Sequence, residues 1–324
     1  MSDRMKVLSF EQLLGRMIHE LERQNSIFGI PAARFFRPSS DPKPSSRFSL
    51  FGHQVDTPFG PAAGPHTQLA QNIICAFLTG GRCIELKTVQ EMDNLEIEKP
   101  CIEVPDEGYN TEWSQELSLD QSAEEYIKAW VLIHLLNDFL RLSDSGASAG
   151  SLPPPGVLFN MSVGYDLEGI SSQKMKRFLG RMLAPQGEIE GFLEIVRHRF
   201  LRMPVPSVRP EIVHSVTIST MHGCPPSQIE EMARFLMEEK GLDTYVKLNP
   251  TLLGKEKTSR ILQELGYGYI RIDDATFDKD LQYTDAVKLI RNLKELERRS
   301  GRRFGIKLSN TLANRNIFGT LPGQ

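Results

Sequence analysis

The 324-residue chain carries 38 Lys and Arg against 41 Asp and Glu, a net charge of −3, with 40% hydrophobic and 24% charged residues. This is an ordinary globular composition, without the basic excess that marks nucleic-acid binding, and long enough for one large α/β barrel or two modest domains. Cys75, Cys83, Cys101 and Cys224 form no CxxC pair, which argues against an iron–sulfur cluster, a zinc ribbon or a disulfide framework within the chain. The longest apolar runs, such as Trp130–Ile133, fall far short of a membrane span. The opening MSDRMKVLSF lacks the apolar core of a signal peptide. The expected setting is cytoplasmic, with neither nucleic acid nor membrane as partner.

In chain order, Ser9 and Gln12 form a capping box ahead of a helix with Phe10, Leu13, Leu14, Met17, Ile18 and Leu21 on one face. Residues 30–47 are rich in Pro, Ser and basic side chains and read as covering structure. Phe48–Val55 reads as a hairpin that plugs the lower end of a barrel, so residues 1–56 form a covering unit and 57–324 the barrel. The expected barrel strands are Thr57–Ala63, Cys83–Val89, Val157–Ser162, the segment around Val216–Ile218, Tyr245–Leu248, Tyr267–Ile272 and Phe304–Ser309. Helices are expected at Gln68–Leu78, from Ser122 to about Leu142, near 171–184 and 188–202, after an N-cap at Ser227 with Glu230 as its capping-box partner, and at Lys257–Leu265 and Thr284–Arg299. Arg298, Arg299, Arg302 and Arg303 would compensate the dipole at the end of that last helix. Two insertions interrupt the pattern: a long acidic, aromatic-bearing loop at 90–118 and a low-complexity linker at 143–156. Alternating βα units with no early GxGxxG turn indicate a parallel β/α barrel rather than a Rossmann fold.

Chemistry gathers at the ends of such strands. Three of them place a lysine among aliphatic residues: Lys87, Lys247 and Lys307. A lysine buried there without a partner costs several kcal/mol or loses its proton. Each therefore calls for an anion, a carboxylate or a polar ligand. Glu85 shares a face with Lys87 and is a candidate partner. Lys307 could instead snorkel from a strand end. Cys224, in the turn His222-Gly223-Cys224-Pro225, is a candidate base or nucleophile if His222 lowers its pKa, or else an inert core thiol. Asn160 and Ser162 end a further strand. Pro61-Ala62-Ala63-Gly64 has little side-chain bulk and lets a flat ligand approach the backbone. His66 follows it as an exposed-loop candidate, although a lone histidine is more often structural. No HxH or HExxH spacing, P-loop or nucleophile elbow is present.

In this order, PFGPAAG, GGRCIELKTV, FNMSVG, STMHGCPP, VKLNP and LSNT resemble the FMN-binding barrels of dihydroorotate and dihydropyrimidine dehydrogenases. The nearer likeness is to the amino-terminal part of large flavoproteins named as selenate reductase subunits, and it extends through QNSIFGIP, GPHTQLAQN and NTEWS. The resemblance implies a TIM-type (β/α)8 barrel of the dihydroorotate dehydrogenase kind and a flavin-dependent oxidoreductase acting on a small substrate. It implies that Ala62, Ala63 and Gly64 meet FMN through their backbone and that Lys87 and Lys247 contact the flavin. It also implies that Asn160, Asn310 and Thr311 are strand-end polar groups at the cofactor, and that Cys224 moves the substrate proton.

Two departures accompany the likeness. Met221 and Pro226 stand where the related loop has substrate-holding asparagines, which puts a pyrimidine substrate in doubt. Nothing after Asn310 supplies the Gly-Gly phosphate turn, so the barrel is expected to lack its last strands. The chain would then work with a further carboxy-terminal segment or an electron-transfer partner carrying FAD, NAD(P)H and 4Fe-4S sites. Two other classes compete: a Schiff-base lyase using Lys87, Lys247 or Lys307, and a non-catalytic assembly subunit with a degenerate barrel.

Overall fold

The computed structural model describes residues 5–38, 48–50, 52–92, 95–104, 107–111, 114–140, 142, 156–220 and 224–322. Helix α1, Phe10–Gln24, begins at the expected Ser9/Gln12 capping box and buries Phe10, Leu13, Leu14 and Met17. Phe48–Leu50 and His53–Val55 pair as the expected antiparallel hairpin. His53 stacks on His214 with ring centroids 4.1 Å apart. Since His214 is the second residue of its strand, the hairpin sits against the strand starts, the end opposite the one where β/α chemistry gathers.

Five parallel strands follow: β1 Cys83–Glu85, β2 Leu158–Tyr165, β3 Val213–Thr220, β4 Asp243–Leu248 and β5 Phe304–Leu308. Their spatial order is their sequence order, as right-handed crossovers through intervening helices require. Helices α2 (Ala70–Leu78), α3 (Leu119–Phe139), α4 (Gln173–Leu183), α5 (Gln186–Arg199), α6 (Pro226–Arg234), α7 (Lys255–Glu264) and α8 (Tyr283–Ser300) accompany the strands. Helix α3 is buried over most of its length, with Trp130 packed edge-on against Phe159 of β2 at 4.9 Å.

The strands divide their side chains by polarity. One face carries Ile84, Phe159, Met161, Val163, Val216, Ile218, Val246 and Leu248, all buried in the core. The other carries Glu85, Asn160, Ser162, Ser215, Thr217, Tyr245, Lys247 and Lys307, aligned by the registers Glu85–Asn160, Ser162–Thr217, Thr217–Tyr245 and Lys247–Lys307. Lys307 of β5 forms an ion pair with Glu85 of β1. In a flat sheet those edge strands would lie about 19 Å apart, four spacings of about 4.8 Å, beyond the joint reach of the two side chains. The sheet is therefore curled into a half-barrel with the polar face inside. The fold is the TIM-barrel class expected, with part of the cylinder present.

Two expected strands are absent as such. Thr57–Ala63 runs beside β1, where the Phe59 carbonyl accepts from Arg82 and Cys83 and the Pro61 carbonyl accepts from Glu85. Gly60 packs there so closely that an added Cβ would lie 2.0 Å from the Cys83 carbonyl oxygen. Two prolines and this crowding stop a regular ladder. Tyr267–Ile272 is instead a turn: the Tyr267 N–H bonds the Leu262 carbonyl and the Ile270 N–H bonds that of Tyr267. Gly266 takes φ +89°, and Ile272 alone bridges, to Asn314. Helix starts shift as well. Ser118, with Gln121, caps α3 one turn before Ser122. Pro225 precedes α6, which has Pro226 in its first turn and no side-chain cap; proline needs no N–H there. Glu230 instead accepts a bond from Asn292 of α8 at 2.8 Å. Helix α6 continues as a five-residue π turn, Phe235–Glu239. Among the described residues no helix is long and apolar enough to cross a membrane. The 143–156 linker falls almost wholly outside the described residues, as do Trp113, Met221, His222 and Gly223.

Candidate functional site

The polar interior converges at the carboxyl ends of the strands. Lys87 lies two residues beyond β1 and is 7% exposed. The backbone there holds one extra residue. Leu86 N–H bonds the Asn160 carbonyl, but the next bond to β2, at the Ser162 carbonyl, comes from Val89 rather than Thr88. Such a bulge re-aims side chains at strand ends. It sets Thr88 Oγ1 2.8 Å from Ser162 Oγ, while the Lys87 carbonyl accepts from the Tyr126 hydroxyl at 3.2 Å. Burial, then the nearby Lys247 charge, lower the Lys87 pKa to about 8, opposed by Cys101 and Glu85. Lys247 thus stands within electrostatic reach of Lys87.

Glu85 does not pair with Lys87. Its Oε2 takes Lys307 and also accepts the Ala63 backbone N–H at 2.8 Å. Lys307 is therefore tied down by charge rather than snorkelling. Asn160 and Ser162, expected at a strand end, lie inside β2 as its third and fifth residues, because the strand runs on to Tyr165; Asn160 Nδ2 donates to Thr217 Oγ1 and its Oδ1 accepts from Ser215, each at 2.7 Å. Beside Ala63, Gly64 accepts from Thr67 N–H at 3.0 Å, and a Cβ on it would meet His66 Cε1 at 2.7 Å. Burial, ahead of the Lys87 charge, keeps the His66 pKa below its ordinary value.

At the ends of β4 and β5, Asn310 Nδ2 donates to Asn249 Oδ1 at 2.9 Å, and Asn249 Nδ2 donates to Asp280 at 3.1 Å. Asp280 also accepts from Thr251 at 2.8 Å, and Thr311 N–H bonds Asn310 Oδ1 at 2.8 Å. Asn310 and Thr311 therefore belong to a rim network whose other members, Asn249, Thr251 and Asp280, sequence patterning alone does not single out. The expected partner of Glu85 is the wrong lysine. The signal is there, a carboxylate on the polar alternation of a strand, but the curl that selects Lys307 is not.

Cys224 stands four residues past β3 on the same rim. Its Sγ lies 3.8 Å from Gln228 Oε1. Burial first, then the Asp166 charge, push its pKa up to about 11. Over the site, the 90–118 loop contributes a small hairpin, Ile102–Glu103 with Tyr109–Asn110. Gln68, wholly buried, pins its return by donating to the Ser114 carbonyl at 2.7 Å and accepting from Glu116 N–H at 2.8 Å. Alkylation by iodoacetamide, which needs the thiolate, should be slow at Cys224 at pH 7 and rise tenfold per pH unit toward pH 11. Mass spectrometry of the modified peptide checks this; fast labelling at neutral pH would refute a protonated thiol.

Residues 28–324 match the family model described as the oxidoreductase YgfK N-terminal TIM-barrel domain. The chain belongs to this family. The putative oxidoreductase YgfK of Escherichia coli strain K12 is 45% identical over 343 residues, covering 100% of this chain and 32% of the relative. The counterpart from Escherichia coli O157:H7 aligns with the same identity and coverage. The chain thus spans about a third of the length of these relatives. Membership agrees with the half-barrel.

Proposed function

We propose that this half-barrel holds the ring of a flavin, FMN by resemblance, in an oxidoreductase whose electron-carrying modules lie elsewhere in the longer proteins of the family. The observation that carries the reading is the buried Lys87 beside Lys247 in an otherwise polar lumen. Complete barrels fill that space with branched apolar layers; a lumen of Lys, Glu, Asn, Ser and Thr is a receptor for a polar, electron-rich ligand. The residues fit the ring portion. Ala62–Gly64 offers small residues and backbone groups, Lys87 and Lys247 offer positive charge, and Asn160, Asn310 and Thr311 are held by their hydrogen bonds. The phosphate portion has no corresponding Gly-Gly turn among the described residues after Asn310. Bound there, the flavin would supply hydride transfer at N5. Cys224, a thiol at neutral pH, is suited to donate the accompanying proton to a substrate undergoing reduction. No residue of the site singles out a selenium oxyanion, so selenate is one small anionic substrate among others to test.

The depressed Lys87 pKa also favours a second reading, an amine nucleophile that forms a Schiff base. One experiment separates the two. The full-length family protein carrying this domain, purified from its native host, should show flavin absorbance near 450 nm that Lys87→Met diminishes, while borohydride with a carbonyl substrate should leave no adduct on Lys87. A flavin content that Lys87→Met leaves unchanged, or a trapped lysine adduct, would overturn the flavin assignment.

A further inference from the structure

The ladder between the 59–63 segment and β1 ends on a side chain. Backbone bonds tie Phe59 and Pro61 carbonyls to Arg82, Cys83 and Glu85 N–H groups. At the next step the chain of β1 turns away, and Lys87 N–H goes to the Thr67 carbonyl at 3.4 Å. The Glu85 carboxylate takes up the Ala63 N–H instead, and the same oxygen holds Lys307 from the opposite edge of the sheet. Glu85 is 7% exposed, and its other oxygen, Oε1, is sealed from solvent with no hydrogen-bond partner among the described residues. A half-satisfied buried carboxylate is costly, and such a cost is commonly kept where it serves a site.

We propose that Glu85 is the positioning residue of this site: its carboxylate fixes the Ala63 peptide against the lumen and, by neutralising Lys307, sets the positive charge that an anionic ligand meets there. The inference rests on the lumen being the ligand site, whichever ligand it takes. Lys87 is the reporter. The charged or titratable groups acting on it are Lys247 from β4, Cys101 from the loop above and Glu85, which in turn holds Lys307, while His66 from the turn after Gly64 feels the Lys87 charge.

The pH profile of reductive methylation at Lys87, read by peptide mass spectrometry on the full chain without flavin, tests this. Only the neutral amine reacts, so the midpoint tracks its titration. Glu85→Gln removes a negative charge while retaining an acceptor for Ala63, and should lower the midpoint. Lys307→Met leaves Glu85 uncompensated and should raise it. Each shift should be on the order of half a pH unit or more, the scale of a nearby charge in a partly hydrated interior. A merely structural clasp would loosen in both variants, admit water and move both midpoints upward. Shifts of the same sign, or none in Lys307→Met, would overturn the proposal; if Glu85→Gln fails to fold, Lys307→Arg decides, because it keeps the charge and should leave the midpoint near the native value, and a midpoint raised as far as in Lys307→Met would mean a loosened clasp and overturn the proposal. Because no flavin is present, failure here is distinct from failure of the flavin assignment.

Discussion

Lys87→Met should weaken the site and strengthen the fold. A hydrogen bond to a charged group contributes about 1.5–3 kcal/mol, so the FMN binding proposed for the full-length protein should weaken on the order of 10- to 100-fold. The stability effect has the opposite sign. Burial lowers the Lys87 pKa from its ordinary 10.5 to about 8, and that gap corresponds to roughly 3 kcal/mol held against the folded state. Between about pH 8 and 10.5 the unfolded chain binds the proton that the folded chain has lost, so native stability rises with pH across this window. The penalty is full below pH 8 and gone above 10.5. Methionine fills a similar volume without the charge, so the variant should be more stable by up to about 3 kcal/mol at pH 7, and the gain should vanish by pH 10.5. Affinity in the native protein should fall as pH rises through 8. Lys87→Arg should abolish that pH dependence, because guanidinium keeps its proton. Urea titrations at pH 7 and 10 beside FMN titrations check the argument; a destabilised Lys87→Met at pH 7 would refute the idea that the lysine is held at a cost.

The polar lumen is legible in the amino-acid order. The runs ELKT, NMSVG, VTIST, YVKLN and GIKLS alternate apolar with polar residues, and period two sends the polar half to one face. That alternation is enough to put Lys247 and Asn160 on the polar face with Glu85. It cannot reveal which strands close on which, because the Glu85–Lys307 pair joins positions 222 residues apart and depends on sheet curl, a property of all five strands. The same period misleads at Tyr267–Ile272, where Tyr, Ile and Arg alternate like a strand but Gly266 and Gly268 admit a turn. The bulge at Lys87–Thr88 leaves no compositional mark, since it arises from how β1 leaves β2. The Asn249–Asp280 bond joins a strand end to a short helix, Asp274–Lys279, and its flank; helix periodicity carries no hint of it.

Behind β1, stability depends on a buried ion pair, and breaking it should give a large loss. Glu125 and Lys128 of α3 are 2% and 1% exposed, with Oε1 and Nζ 2.5 Å apart. Glu125 Oε2 also accepts the Ala70 N–H at 2.7 Å, satisfying one of the open donors at the start of α2, and Lys128 donates to the Leu8 carbonyl at 2.7 Å. Glu125→Ala leaves the buried Lys128 ammonium only the Leu8 carbonyl and, at 3.7 Å, the exposed Glu124 carboxylate, a cost toward the lower end of about 3–5 kcal/mol, which for a domain of this size lowers Tm by on the order of 10 °C. Removing both charges as Glu125→Met with Lys128→Met abolishes that cost, since paired buried ions are often replaceable by apolar side chains of like volume. Recovery should stop short by about 1–3 kcal/mol, because Ala70 N–H and Leu8 C=O both lose partners. The consequence reaches the site through the next residue on the helix: Tyr126 holds the Lys87 carbonyl, so the single variant should also speed amide exchange around Lys87, and the double variant should restore it. Thermal melts of Glu125→Met, Lys128→Met and the double variant give the coupling directly. A Glu125→Ala melt within a degree of the native protein would mean that the pair is hydrated in solution and that α2 and α3 are held by apolar packing alone.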